Sequence, residues 1–285
     1  MAVSIKFAGS GATHSDWVPF AARKDLDLRR TFECGQCFRW SEAEDGSWSG
    51  CASSNFARLR YIGDTVYIRA PESKSEFWRA YFDLDRDYDS ISFGDVQSEY
   101  FDRCVDFGKG IRILRQNSWE ALCSFIISQC NNIPRIRSII ATLCREFGER
   151  LQTPEGDEYH AFPAAETLAV LEPEDLAPLR SGYRAKYIVA AARAVATGAI
   201  DLVELAETGD YTNAMRELKR LPGIGDKVAN CVVLFGLGIL SGFPVDVWMR
   251  RALKEHFQEG FEPARFGEYA GLAQQYIFYH ARSSG

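Results

Sequence analysis

Lys227 supplies an amine and Asp246 a carboxylate, and between and before them lies a stretch whose glycines suit an anion. The run Leu218-Lys219-Arg220-Leu221-Pro222-Gly223-Ile224-Gly225-Asp226-Lys227 ends one helical pattern and begins another. Ala214, Met215, Leu218 and Leu221 recur at helical spacing, so Thr212 to Arg220 reads as an amphipathic helix that Pro222 and Gly223 stop. Val228 to Leu240 is apolar on nearly every side, which predicts a second helix buried in a core. Gly223 and Gly225 carry no side chain and have access to backbone angles forbidden to other residues, so main-chain N–H groups can come close to an anion. The start of the second helix adds free N–H groups and a positive dipole end. A DNA phosphate is the natural candidate, and such a turn holds backbone without reading sequence.

Lys227 falls in the first turn of that second helix, where positive potential disfavours an ammonium ion. Asp226 acts in the opposite sense, and the net shift is left open. A neutral lysine amine can displace a base at the sugar C1′ and form a Schiff base. Asp246 follows Pro244 at the start of a further helical segment, Val247 to His256, where it suits both an N-cap and a carboxylate facing the reacting sugar. Either residue alone is unremarkable chemistry for a surface lysine or a capping aspartate. Together around a Leu-Pro-Gly-Ile-Gly turn they point to covalent chemistry on a DNA sugar.

On these residues the chain resembles the helix-hairpin-helix DNA glycosylases, specifically the 8-oxoguanine DNA glycosylase family, over about Thr31 to Phe278. Gly35-Gln36-Cys37-Phe38-Arg39-Trp40 is similar to the family's Gly-Gln-x-Phe-Arg-Trp segment, which implies that the Gly35 carbonyl accepts from the N7 hydrogen carried only by the oxidised guanine. Ser128-Gln129-Cys130-Asn131-Asn132-Ile133-Pro134-Arg135 resembles the segment that fills the hole left by the extruded base, with Arg135 facing the orphaned cytosine. The fork of an arginine suits acceptor atoms on an unpaired base edge. Gly182-Tyr183-Arg184 looks like a second part of that apparatus, Tyr183 as a wedge and Arg184 as another cytosine contact. The resemblance also makes Gln274 a partner of the base's pairing edge, Phe278 a stacking ring on one face of the base and Cys231 the cover on the other. Lys227 becomes the nucleophile and Asp246 the group that stabilises charge on the sugar. The implied imine then supports β-elimination of the 3′ phosphate, with no metal or organic cofactor.

Two positions depart from the pattern. Cys130 stands where the family usually has its first gap-filling asparagine, and a thiol is a smaller and weaker hydrogen-bonding group. It is either lineage variation or a thiol for tethering DNA. Trp248 stands two residues after the aspartate, where a phosphate-contacting histidine is common, and either donates one N–H to a phosphate or packs.

The elements that must hold these residues fall into two zones. From about Asp25 to Ala70, the runs Thr31 to Trp40, Ala57 to Tyr61 and Val66 to Ala70 favour aromatic and β-branched residues, separated by turns at Glu44-Asp45-Gly46 and Gly63-Asp64. From about Glu76 onward helical spacing prevails, with breaks near 153–157, 172–177 and 208–210. The expected architecture is α+β: a small N-terminal antiparallel sheet domain over residues 1–100 against a mostly helical domain over 101–285, with duplex DNA in the cleft between them.

The 285 residues carry a net charge of −6, which runs mildly against a nucleic-acid partner. Distribution matters more than the total. Between Arg103 and Arg150 there are eight basic residues against four acidic ones, while acid collects between Asp83 and Asp89 and between Glu155 and Asp175, the faces expected to lie away from DNA. The eight cysteines show no paired framework, so they read as reduced thiols of an intracellular protein acting in cytoplasm, nucleoid or nucleus. Cys34 and Cys37 form a lone C-x-x-C with no second pair to complete a zinc site. The absence of cysteine after Cys231 removes the C-terminal iron–sulfur cluster of some related glycosylases. No presequence or membrane-length apolar run is seen, and a monomer is the simplest state. Two rival readings remain: a glycosylase for alkylated purines, which typically lacks the hairpin lysine, and a silent helix-hairpin-helix DNA-binding module.

Overall fold

The computed structural model describes residues 17–153 and 155–284. The residues on which the reading of an absent presequence rests, 1–16, lie outside the described residues, as does the very start of the expected 1–100 domain.

The chain opens with β1 (Val18–Ala22), α1 (Leu28–Glu33), β2 (Trp40–Glu42), β3 (Trp48–Ala52), β4 (Asn55–Ile62), β5 (Thr65–Arg69) and α2 (Ser75–Tyr81). The five strands form one antiparallel sheet in the order β1-β5-β4-β3-β2. Alternation aims Ala57, Leu59, Val66 and Ile68 inward, where they meet Trp40, Trp48, Trp78 and Phe82 in a buried cluster of their own. Phe32 of α1 stacks on Trp40 with ring centroids 4.4 Å apart. Gly50 is required here, since a Cβ at that position would stand 2.2 Å from the Trp40 ring.

The helical part comprises α3 (Glu99–Gly108), α4 (Ser118–Ile127), α5 (Ile133–Phe147), the hairpin β6 (Arg150–Gln152) and β7 (Glu158–His160), α6 (Ala165–Ala169), α7 (Arg184–Ala196), α8 (Leu202–Thr208), α9 (Tyr211–Leu218), α10 (Asp226–Phe235), α11 (Val247–His256) and α12 (Ala270–Ser284). A second, larger core runs through α4, α7, α10 and α12. Ser98, Asn117, Asn132, Asp201, Asp210 and Asp246 each cap a helix by accepting a backbone N–H, so most helix starts are written locally.

The α+β architecture is as expected, but four elements differ. Thr31 to Trp40 is not a strand. Asp27 caps α1 by accepting from Arg30 N at 2.9 Å, and the chain then turns at Gly35 with φ +82° before β2 begins at Trp40. The aromatic alternation there serves helix packing and a turn. β1 and β3 lie outside the runs read as strands; β1 pairs with β5 through a bulge between Pro19 and Ala21. The second helix of the hairpin stops at Phe235 rather than Leu240. A Cβ at Gly236 would lie 2.9 Å from Ala121 Cβ, so the glycine lets the end of α10 rest on α4, and Gly238 at φ +69° turns the chain back.

Gln36 ties the two parts together. Its Nε2 donates to Thr31 O and Arg112 O while its Oε1 accepts from Leu114 N at 2.8 Å, all within buried surroundings. Arg39 adds an ion pair to Glu120 at 3.3 Å, both side chains 10% exposed. Burial raises the Glu120 carboxyl above its ordinary range, opposed by the Arg39 charge.

Candidate active site

The hairpin sits between α9 and α10, α9 close to its expected bounds and α10 beginning where expected but ending at Phe235. Gly223 adopts φ +81°, a conformation L side chains rarely take, and a Cβ there would stand 2.6 Å from the Tyr187 ring. Gly225 differs from expectation: its φ is −99°, open to any residue, and nothing lies within 4 Å of its Cβ direction. Its value is an uncluttered N-cap over which the free N–H groups of α10 face outward. Gly223→Ala is expected to push the hairpin off Tyr187 and weaken binding of an abasic-site duplex roughly tenfold, the worth of about one charge-assisted hydrogen bond. Gly225→Ala in the same anisotropy titration serves as the mild counterpart.

Lys227 projects from the first turn of α10, half-buried, with Nζ 5.9 Å from the Phe125 ring centroid. Asp226, its neighbour in sequence, is drawn outward by an ion pair with Lys219 at 2.6 Å. Cys231 follows one turn later on the same face, buried; burial pushes its thiol up to about 11, against the pull of Lys227, and the Asp246 charge adds to the rise.

Asp246 reaches the same pocket because a buried asparagine folds the chain back. Asn230, a polar residue on an otherwise apolar helix, donates to Asp226 O and accepts from Phe243 N at 2.9 Å and from the Tyr211 hydroxyl at 3.0 Å. That pins the segment after α10 across the helix. Pro244 and Asp246 follow within three residues, and Asp246 caps α11 by accepting from Met249 N at 2.9 Å. Its two roles are therefore compatible: one carboxylate oxygen holds the helix start, and the group remains partly exposed toward the pocket.

Lys227, Cys231, Asp246, Gln274, Phe278 and Gly35 line one small cavity of about 50 Å³, together with Cys34, Phe125, Phe235, Pro244 and Gln275. Sequence positions from 34 to 278 thus converge on one spot. Gly35 packs against Phe278: a Cβ at Gly35 would lie 3.4 Å from the ring edge. Gln274 is buried, its Nε2 donating to Pro244 O at 3.1 Å and its Oε1 accepting from Gln275 Nε2 at 2.7 Å. Gln275 and Asn230 were missed by the sequence reading, although two adjacent glutamines and a lone asparagine inside apolar helices were the visible signal. A larger cleft lies between the sheet and α5, but its lining of Arg39, Arg137, Tyr159 and His160 brings no amine beside a carboxylate.

The remaining candidates form a second group at the N-terminal ends of α5 and α7. Cys130 is exposed, with φ +47°. Asn131 donates to Ile127 O at 3.2 Å, Arg135 is exposed, and Tyr183 is 49% exposed. Arg184, in contrast, is buried. Tyr187 of α7 connects this group to the hairpin: its ring lies against Gly223 and meets Tyr183 edge-on at 5.9 Å. Trp248 is in neither group: it lines a separate pocket with Tyr100, Arg251, His256 and His280.

Comparison with known proteins gives two adjoining family matches. Residues 19–122 match the model of the 8-oxoguanine DNA glycosylase N-terminal domain, and residues 123–263 match that of the HhH-GPD superfamily of base excision DNA repair proteins. An N-glycosylase/DNA lyase of Arabidopsis thaliana is 31% identical, covering 92% of this chain and 79% of that protein. The N-glycosylase/DNA lyase of Saccharomyces cerevisiae is 39% identical over 53% of this chain but only 43% of its own length. Among solved structures, a Clostridium acetobutylicum 8-oxoguanine glycosylase/lyase in complex with double-stranded DNA containing cytosine opposite 8-oxoG superposes with a TM-score of 0.84 at 35% identity, covering 91% of this chain and 93% of that one.

Proposed function

We infer, from the premise that this chain belongs to the 8-oxoguanine DNA glycosylase family of the helix-hairpin-helix base excision repair glycosylases, that it is a bifunctional DNA glycosylase and lyase removing 8-oxoguanine opposite cytosine. The observation that carries the mechanism is the convergence of the Lys227 amine and the Asp246 carboxylate on one cavity whose other walls are Gly35, Cys231, Gln274 and Phe278.

The reacting C1′ is inaccessible in stacked duplex, so the nucleotide must be everted into this cavity. Gly223, Gly225 and the start of α10 would hold a phosphate of the same strand. Asp246 stabilises positive charge that develops on the sugar as the glycosidic bond breaks. Lys227 Nζ forms the new bond to C1′, the base leaves with the electron pair of the old one and takes up a proton, and loss of the amine protons with ring opening gives an imine. The imine acidifies C2′, and β-elimination expels the 3′ phosphate. Cys231, held as a neutral thiol by burial, offers an uncharged polarisable surface to one face of the base and the Phe278 ring to the other.

The working division is a sheet unit over 1–100 and a helical unit over 101–285; two buried clusters favour a two-part chain, with Cys34, Phe38 and Tyr100 packed in the helical core and Leu114 in the sheet core. Cys130, Asn131, Arg135, Tyr183 and Arg184 form the edge that would enter the gap left by the everted base. Trp248 is assigned to packing. Among the described residues no helix is long and apolar enough to cross a membrane. The proposed setting is a monomer on chromosomal DNA, in a nucleoid or a nucleus.

Incubation with an 8-oxoguanine·cytosine duplex, read with and without alkali, tests the whole reading. Strand cleavage without alkali is expected, with 3-methyladenine duplex left intact. Preference for the alkylated base, or no excision of either, overturns it.

A further inference from the structure

Two adjacent glutamines, Gln274 and Gln275, lie early in α12 with only 3% and 2% of their surface exposed. Both line the cavity that holds Lys227 and Asp246. The start of the helix that carries them is fixed: Gly271 N donates to Leu240 O at 2.7 Å, and a Cβ at Gly271 would stand 2.3 Å from Leu234.

The orientation of the two amides follows from one carbonyl. Pro244 O can only accept, so the Gln274 amide must turn its Nε2 toward it, at 3.1 Å. Gln274 Oε1 then faces Gln275, which must answer with Nε2, at 2.7 Å. The relay ends at Gln275 Oε1, which is buried and accepts from no donor among the described residues. An acceptor withdrawn from water without a partner is costly, and a pocket wall is where such a group is kept for a ligand.

What the two amides leave unused is an ordered pattern. Gln274 retains a second N–H on Nε2 and a second lone pair on Oε1, and Gln275 retains the lone pairs of its own Oε1. Along the wall these are donor, acceptor, acceptor. The pairing edge of guanine presents acceptor O6, donor N1–H and a donor amine at C2, the complement in the same order. Adenine offers a donor at C6 and an acceptor at N1, which opposes the first two positions.

We propose, resting on the glycosylase reading above, that Gln275 is a specificity-determining residue whose Oε1 accepts from the 2-amino group of the everted 8-oxoguanine, while its Nε2 fixes the Gln274 amide against Pro244. Gln274 addresses O6 and N1–H, which 8-oxohypoxanthine shares with 8-oxoguanine; Gln275 distinguishes the two. At about 50 Å³ the cavity is smaller than a purine, so a wall must yield on entry, and the bonded amides are the walls held from behind.

The test uses duplexes with 8-oxoguanine or 8-oxohypoxanthine opposite cytosine, which differ by that amine alone, and compares wild type with Gln275→Met and Gln275→Glu after thermal melting confirms folding. Methionine keeps the length and removes the carbonyl; glutamate keeps an oxygen acceptor at the same reach. In single-turnover base release, Gln275→Met is expected to lower the preference for 8-oxoguanine about 10-fold relative to wild type, the value of one hydrogen bond to a buried acceptor. Differences in opening the two base pairs cancel between enzymes. Gln275→Glu should hold the preference within about threefold of wild type, because a carboxylate oxygen accepts from an amine at least as well, while both rates fall as the bond that orients Gln274 is weakened. A second readout needs no chemistry: in a Lys227→Gln background, anisotropy binding of the two duplexes should show the same loss of preference in Gln275→Met. An unchanged preference in Gln275→Met, including a common fall on both duplexes, overturns the assignment, as does its loss in Gln275→Glu. A wild-type enzyme that releases neither base would sink the function reading instead, and the binding arm would still judge the contact.

Discussion

Lys227→Gln is expected to abolish the covalent adduct trapped by borohydride on 8-oxoguanine DNA and to slow base release by at least ~10³-fold. Glutamine keeps much of the side chain's length and polarity but has no nucleophilic lone pair, so the loss isolates the chemistry from the packing. The fold should survive, because the side chain is only half-buried beside Phe125 and α10 starts without a side-chain cap. Binding to an abasic-site duplex should be weakened far less than catalysis, since the hairpin N–H groups that would grip phosphate belong to the backbone. Undiminished trapping would mean that another amine attacks C1′, and the reading of the pocket would fail. Weak binding with intact trapping would instead place Lys227 among the phosphate contacts.

Asp246→Asn separates two tasks carried by one side chain. Asparagine caps helices as well as aspartate does, so the bond from Met249 N is retained and stability should move by less than about 0.5 kcal/mol. The negative charge is lost, and with it the stabilisation of the developing sugar cation; base release should fall on the order of 10²- to 10³-fold. Asp246→Ala should show the same catalytic loss plus about 1 kcal/mol of destabilisation from the vacated cap. Single-turnover rates set beside melting curves for the two variants check this. Equal losses of stability in both, with activity following stability, would reduce Asp246 to a capping residue.

Much of this was readable from residue order, because the signals are short in range. The Pro222-Gly223 stop, the start of the apolar helix after Gly225 and the start of α11 at Asp246 depend on neighbours within a turn or two, and the structure has them close to where they were expected, although α10 ends five residues early at Phe235. The 57–61 and 66–70 runs alternate around a Gly63-Asp64 turn, and β4 and β5 form there. The segment 31–40 misled for a definable reason. Its aromatic spacing is that of a strand, but Asp27 four residues earlier and Gly35 within it impose a capped helix and a left-handed turn. β1 was missed because its five residues form a strand only against β5, almost fifty positions away.

The sequence by itself determined which chemical groups are present and the local frames that display them: an amine on the first turn of a helix, a carboxylate at a helix start, and a glycine turn free to approach phosphate. Which of those groups meet was decided by bonds between residues distant in the chain. Gln36 fixes Gly35 by gripping the 112–114 backbone, Asn230 swings Asp246 over α10, and Arg184 is drawn onto the carbonyls of residues 129 and 130 while exposed Arg135 bonds Arg180 O. A buried amide or guanidinium must find partners wherever the packing supplies them. That requirement is satisfied only in the assembled molecule, so residue types announce the need and tertiary contacts choose the answer.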